Sequence, residues 1–438
     1  MKNFLLRICF CGLLFGLSLP RIRASDSLRI HLIPQPVNLS ERPGEFMLDQ
    51  KVPLIVEASG QTMNETAAWF TDQLTTVSGL TIQQKKSGKK GIHLKLISGS
   101  EDNRIGDEGY ILSVTPSAIT LSAKKPAGIF YGMQTLLQLL PANARMIAGG
   151  NSKRLAIPCA EITDYPRFGW RGIMLDVSRH FFTKAEVEKY IDEIVRFKYN
   201  VLHLHLSDDQ GWRIEIKSLP RLTAMGAWRV KRVGQWGQFL PALANEPATD
   251  GGFYTQDDMR EIIRYAQMRN VTILPEIDVP AHSLALITAY PNLSCTQLQY
   301  SVNAGFHSPV RDDNALCIGN DSVFLMLDKI FTELAALFPC EYIHVGGDEA
   351  YKGFWADCPK CKKRMADEHL KNVDQLQSYF VKRVEKILKS KGKKLIGWDE
   401  ILEGGLAPEA TVMSWRGMKG GIEAAKMNHH VVMTPWDY

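Results

Sequence analysis

The stretch Tyr342-Ile-His-Val-Gly-Gly-Asp-Glu-Ala350 decides how the fold is read. Its first four residues form a short apolar run, and a segment with helical spacing, 322–338, comes just before it. Helix, short buried strand, then polar loop is one step of an α/β repeat. Gly346 and Gly347 before two adjacent carboxylates mark backbone that another group approaches closely. Alone, Gly-Gly-Asp-Glu reads equally well as a glycine turn with two solvated acids, so the rest of the chain carries the decision.

Working outward, six further apolar runs lie at 172–177, 201–206, 271–277, 394–397, 411–414 and 431–434. Helical patterns fill the gaps at 184–197, 255–269 and 374–390. Strands alternating with helices predict a parallel sheet. Runs without polar alternation predict strands buried on both faces. Seven such runs over 155–438 predict a (β/α)8 TIM barrel whose last strand lies beyond the sequence in hand. Residues 151–154 read as a linker. Before it, residues 27–150 predict a small α+β domain, with strand patterns near 52–57, 92–97, 109–114 and 118–122 and helical ones at 65–77 and 127–140.

The N-terminus has its own character. Lys2 and Arg7 precede or open an apolar run over 8–19, and small residues follow up to Ala24. Residues 1–24 therefore read as a secretory signal peptide, and the protein is expected to be exported. No other run is long enough for a transmembrane segment. The formal charge of +5 owes Lys2, Arg7, Arg21 and Arg23 to this peptide, which leaves about +1 on the mature chain. No basic cluster is interleaved with aromatics, so nucleic acid is not an expected partner. Six cysteines remain; Cys295 and Cys317 are the best candidates for a loop-closing bridge, and Cys358-Pro-Lys-Cys361 is a lone CxxC, for which a local disulfide or free thiols are expected rather than metal.

A barrel makes a directional prediction, because its chemistry sits at the C-terminal ends of the strands. Those ends carry Asp176 with Arg179 and His180, Asp208-Asp209, Asp278 with His282, Asp348-Glu349, Trp398-Asp399-Glu400 and Trp415-Arg416. Six such sets converging on one rim are not explained by solubility. Paired carboxylates with tryptophans suit sugars, whose apolar ring faces stack on aromatics. A metal-dependent hydrolase is the rival, but there is no HExxH pair, and His203, His205 and His344 read as buried hydrogen-bonded residues. No metal and no cofactor is expected.

The blocks Trp170-Arg-Gly-Ile-Met-Leu-Asp-Val-Ser-Arg-His-Phe181, His203-Leu-His-Leu-Ser-Asp-Asp-Gln-Gly-Trp-Arg213, Pro275-Glu-Ile-Asp-Val-Pro-Ala-His282, His344-Val-Gly-Gly-Asp-Glu349, Gly397-Trp-Asp-Glu400 and Ser414-Trp-Arg-Gly417 occur in this order. Through them the chain resembles glycoside hydrolase family 20, the β-N-acetylhexosaminidases, over nearly all of its length after Leu32. The resemblance implies a small α/β domain before a TIM barrel. It also implies an exo-acting retaining glycosidase that removes terminal β-linked N-acetylglucosamine or N-acetylgalactosamine from glycans, using the substrate's own acetamido group through an oxazolinium ion. It assigns the proton donor to Glu349 and the acetamido-holding anion to Asp348. His282 would contact Glu349, with Asp208 behind it; Asp209 is a second candidate for that orienting role. Arg171 would grip the far hydroxyls of the sugar, and Trp398 and Trp415 would wall the acetamido pocket. Glu349 should have a raised pKa as the acid. Family members continue past the seventh strand, so the sequence is expected to be a fragment. A catalytically silent glycan-binding chain is the alternative function, and release of a disaccharide is the alternative cleavage.

Overall fold

The structure is a computed structural model that describes residues 30–57, 60–98, 103–149, 154–235, 237–305 and 313–435. The expected signal peptide, and the closing residues Trp436 to Tyr438, lie outside the described residues. The first sheet has seven strands: β1 (Asn38–Leu48), β2 (Leu54–Val56), β3 (Gln84–Lys85), β4 (Ile92–Leu96), β5 (Tyr110–Val114), β6 (Ile119–Ala123) and β7 (Leu155–Asp164). Their spatial order is β1-β7-β5-β6-β4-β2-β3, antiparallel around β7 and β5 and parallel from β6 outward. In β5 and β6 buried residues alternate with partly exposed ones, the pattern of strands with one covered face. Helices α1 (Gln61–Ser78) and α2 (Pro126–Gln138) cover the sheet. Gly128 and Gly132 let α2 lie close: a Cβ on Gly132 would sit 2.2 Å from the Leu121 side chain.

The expected boundary at 155 is too early. Strand β7 pairs with both β1 and β5, so 155–164 belongs to the first sheet. Its alternating burial is that of an antiparallel strand, not a barrel strand buried on both faces.

The second sheet is the barrel. Seven parallel strands follow in chain order: β8 (Gly172–Asp176), β9 (Val201–His205), β10 (Thr272–Glu276), β11 (Tyr342–His344), β12 (Lys394–Trp398), β13 (Thr411–Ser414) and β14 (Val431–Met433). Helices α3 (Lys184–Val195), α4 (Gln256–Gln267), α5 (Asp321–Leu337), α6 (Val373–Ser390) and α7 (Met418–Lys426) alternate with them. All of β9 and β13 is buried. Helices α3 and α4 start on reciprocal capping boxes, Thr183 with Glu186 and Thr255 with Asp258. This is the (β/α)8 TIM-barrel architecture, seen through seven of its strands and preceded by a small α+β domain. Strands β8 and β14 are the edges of the described sheet, and a cavity of about 430 Å³ lined by Trp170, Met174, Met413 and Val432 lies between them. None of the six described cysteines forms a disulfide, so the expected Cys295–Cys317 bridge is absent. Among the described residues no helix is long and apolar enough to cross a membrane.

Candidate active site

Parallel register brings one polar rung into the barrel. Asp176 lies opposite His205, His205 opposite Glu276, and Glu276 opposite His344. Glu276 is the centre of that rung and is fully buried. Its Oε2 lies 2.6 Å from His205 Nδ1 and 3.0 Å from His203 Nε2, and its Oε1 lies 2.9 Å from His344 Nδ1. Trp398 donates its indole N–H to the same Oε1 at 3.0 Å. Burial would raise the Glu276 pKa, but His205, His344 and His203 hold it well below the usual range. Burial pushes His344 down to about 4, so it stays neutral. His205 goes the other way: burial opposes its charge, yet Glu276 lifts it well above the ordinary value.

From this hub a chain of contacts runs to the rim. His205 donates from Nε2 to Asp208 Oδ2 at 2.8 Å. Asp208 is almost wholly buried and also meets Arg179 Nη2 at 2.6 Å. His282 donates from Nδ1 to Asp208 Oδ1 at 3.1 Å. The other nitrogen of His282, Nε2, lies 3.5 Å from Asp348 Oδ2 and 3.5 Å from Glu349 Oε2. Burial opposes charge on His282, but Asp208, Asp278 and Asp348 raise its pKa well above the ordinary value. Both nitrogens then carry protons, and Nε2–H faces the acid pair. Asp208, opposed only by burial, is kept well below the carboxylate range by His282 and Arg179.

Adjacent residues on a regular strand would face opposite ways. Here β11 ends at His344, Gly346 and Gly347 take φ of 66° and 96°, and Glu349 itself takes φ 46°. The chain thus leaves the strand and turns both carboxylates toward one imidazole. His282 has φ 47° as well. Two non-glycine residues in the left-handed region, facing each other, are held against their backbone preference by the surrounding packing. Gly346 also has a steric reason: a Cβ there would be 1.8 Å from Asp278 Oδ1.

The two acids differ in their surroundings. The Asp348 side chain is 15% exposed and that of Glu349 is 60% exposed. Asp348 Oδ1 is buried and has no hydrogen-bond partner. Burial raises the Asp348 pKa although His282 pulls against it. Glu349 does not have the expected raised pKa. Contact with His282 lowers it and outweighs burial.

The structure separates the remaining candidates. Asp208, not Asp209, meets the imidazole; Asp209 accepts from Asn314 Nδ2 at 2.9 Å and from Leu284 N at 3.1 Å, anchoring neighbouring loops. Burial and the charge of Asp208 push Asp209 up to about 6. Trp398 is buried, with its ring 4.6 Å from that of His344. Trp415 donates to Glu400 Oε2 at 3.0 Å, and burial lifts Glu400 to about 8.

Arg171 is a correction. It precedes β8 and therefore lies at the N-terminal end of the strands, opposite the acids. There it donates to the Lys198 and Phe168 carbonyls and pairs with Glu108 at 2.7 Å. Arg179, just past the C-terminal end of β8, does reach the rim and is joined to Asp176 and Asp208. The strand direction was the signal that could have found it. Asp278, one of the strand-end residues without an assigned role, is buried behind the acid pair, and burial together with the Asp348 charge raises it well above the ordinary value.

Carboxylate and imidazole groups around Glu276, Asp278 and His282 lie close enough together to act as metal-ligand sets, although most of their facing atoms already engage one another. Residues 168–438 match the glycosyl hydrolase family 20 catalytic domain, and residues 29–165 match domain 2 of that family. The chain belongs to glycosyl hydrolase family 20. It is 42% identical over 408 residues to a beta-hexosaminidase of Porphyromonas gingivalis, covering 93% of this chain and 50% of the relative. A beta-hexosaminidase of Vibrio furnissii is 36% identical over 420 residues, covering 95% and 65%. The chain thus spans about half to two thirds of the length of these relatives. Among solved structures, the Vibrio harveyi GH20 exo beta-N-acetylglucosaminidase in complex with N-acetylglucosamine superposes with a TM-score of 0.79 at 31% identity, covering 93% of this chain and 61% of that one. The Streptomyces plicatus N-acetyl-beta-hexosaminidase in complex with Thio-NAglucal gives 0.77 at 34% identity, covering 92% and 74%.

Proposed function

We propose that this family 20 chain carries the acid pair of an exo-acting β-N-acetylhexosaminidase that removes terminal β-linked N-acetylglucosamine or N-acetylgalactosamine from glycans. One observation carries the reading: Asp348 and Glu349 both face His282 Nε2 at 3.5 Å, while Asp348 keeps a buried, unpartnered oxygen. That oxygen suits a ligand N–H, since a buried acceptor without a donor costs about 1–3 kcal/mol until one arrives. In the proposed reaction Asp348 accepts the acetamido N–H, which increases the nucleophilicity of the acetamido carbonyl oxygen. That oxygen attacks the anomeric carbon as the glycosidic bond breaks. Glu349 gives its proton to the leaving oxygen. The oxazolinium ion is then opened by water, whose proton returns to Glu349.

His282 has the place of a positioning residue between these acids and Asp208. Arg179 takes the sugar-gripping role first given to Arg171, because a half-buried fork of donors at the rim suits hydroxyl groups. Trp398, Trp415 and Glu400 are the proposed walls of the acetamido slot. We also infer residues 1–24 to be an export signal, with the mature protein working outside the cytoplasm as an N-terminal domain joined to a catalytic barrel. The test is Asp348→Asn assayed on a chromogenic N-acetyl-β-glucosaminide, with the β-glucoside lacking the acetamido group as control. The variant should lose about 10²–10³-fold in kcat, by analogy with removal of one preorganised electrostatic group. Unchanged rates, or cleavage of the control at the same rate, would refute the mechanism.

A further inference from the structure

The sequence offers a lone CxxC, and the fold changes that picture. Cys358 and Cys361 are joined by Cys295 and Cys317, from a loop that follows β10. Sγ–Sγ distances are 3.8 Å for Cys295–Cys361, 3.7 Å for Cys317–Cys358 and 3.8 Å for Cys317–Cys361. All four sulfurs lie within 4.8 Å of one another. A zinc–thiolate bond of about 2.3 Å sets the edge of a tetrahedral tetrathiolate at about 3.8 Å. The observed separations match that edge, and they are far from the covalent sulfur–sulfur distance of about 2.05 Å.

We propose that Cys295, Cys317, Cys358 and Cys361 bind one tetrahedral divalent metal ion of the zinc class, as a closed structural site. Four protein ligands leave no open position, so the ion would staple and not catalyse. The start of a helix adds a second geometric feature. Cys358 caps the nine-residue helix Pro359–Asp367 and Cys361 lies in its first turn, where the helix dipole favours negative charge. The chain at Gly319 also packs closely against the start of this helix. Gly319 is required for that approach: a Cβ there would lie 2.2 Å from the Lys360 carbonyl carbon and 2.5 Å from the Cys361 nitrogen.

What the ion would hold together is the acid site. Leu316, next to Cys317, donates to the Pro280 carbonyl at 2.7 Å, two residues before His282. The Leu316 carbonyl accepts the Trp355 indole N–H at 3.0 Å, on the segment between Glu349 and Cys358. The staple therefore joins the loop bearing His282 to the loop bearing Glu349.

The experiment uses the full chain purified under reducing conditions after growth with added zinc. Elemental analysis should find about one zinc per chain, released together with four thiols by an organomercurial. Cys317→Ser and Cys361→Ser should lose the metal, whereas Cys159→Ser, outside the cluster, should keep it. Removing the metal from the wild-type chain should lower its Tm. Metal-free protein with all thiols titratable would overturn the proposal. So would an intact mass lower by two or four hydrogens, which would mean disulfides. These measurements on the wild-type chain decide the matter even where a serine variant fails to fold.

Discussion

Two carboxylate–imidazole clusters lie in the same barrel, only a few contacts apart, and they are built to opposite ends. At Glu276 both oxygens are engaged, by three histidines and the Trp398 indole, and the group is fully buried. At Asp348 and Glu349 one imidazole is shared at 3.5 Å, one oxygen is unpartnered and one side chain is 60% exposed. Both clusters use the same side-chain types. The difference is in where the carboxylates stand. Both oxygens of Glu276 face imidazoles or an indole in the core, and the cluster's unpartnered atoms are nitrogens of His203 and His344 out of reach of solvent; Asp348 keeps an unpartnered oxygen beside an exposed acid at the rim, where a ligand can arrive.

The strongest way to break this contrast is Glu276→Gln. It removes the buried charge that faces His205, His203 and His344 and leaves Asp208 alone to balance the His205 imidazolium. The expected loss is about 3–5 kcal/mol of stability, read as a fall in the denaturation midpoint. Glu349→Gln, on a half-exposed side chain, should stay within about 0.5 kcal/mol of wild type while activity collapses. Equal stability losses in the two variants would erase the distinction.

A finer test uses pH. Contact with His282 lowers Glu349, and burial pulls it up. Removing the imidazole takes away the largest lowering contact and leaves burial against the weaker pull of Arg179, so the folded pKa of Glu349 rises. In His282→Gln the basic limb of the kcat/KM profile should therefore move to higher pH as kcat falls by about 10²–10⁴-fold. A merely structural role would lower the rate without moving the limb. A limb that moved to lower pH would show that His282 does not act on Glu349 through its charge.

Much of this was legible in the sequence. The seven apolar runs became seven parallel strands, and Asp208, His282, Asp348 and Glu349 meet at one end of them. What escaped depended on neighbours distant in sequence. Strand β7 looks like another short apolar segment until β1 and β5 claim its edges. The pKa of Glu349 followed from which imidazole it faced, not from its assigned task. The cysteine cluster joins residues separated by 22 and 41 positions, and no local spacing rule reaches that far. Arg171 is a different kind of miss. It sits inside a strongly matching block, but on the wrong side of its strand.

That miss yields the smallest and most specific expected effect. Arg171 and Arg179 are eight residues apart in one block, and β8 carries them to opposite ends of the barrel. Arg171 packs its guanidinium 5.3 Å from the centre of the Tyr131 ring and pairs with Glu108 across the two domains. Arg171→Ala should cost about 1 kcal/mol of stability through lost packing and a partly exposed ion pair, with KM unchanged. Arg179→Ala should raise KM several-fold if its fork donates to substrate hydroxyls, and it should also disturb Asp208. Arg179→Lys separates the two effects: a point charge keeps Asp208 paired but cannot reproduce the fork, so KM should stay high while stability recovers. If Arg171→Ala raised KM and Arg179→Ala did not, the strand-end rule would have failed in this barrel, and the end of β8 would have to be read the other way round.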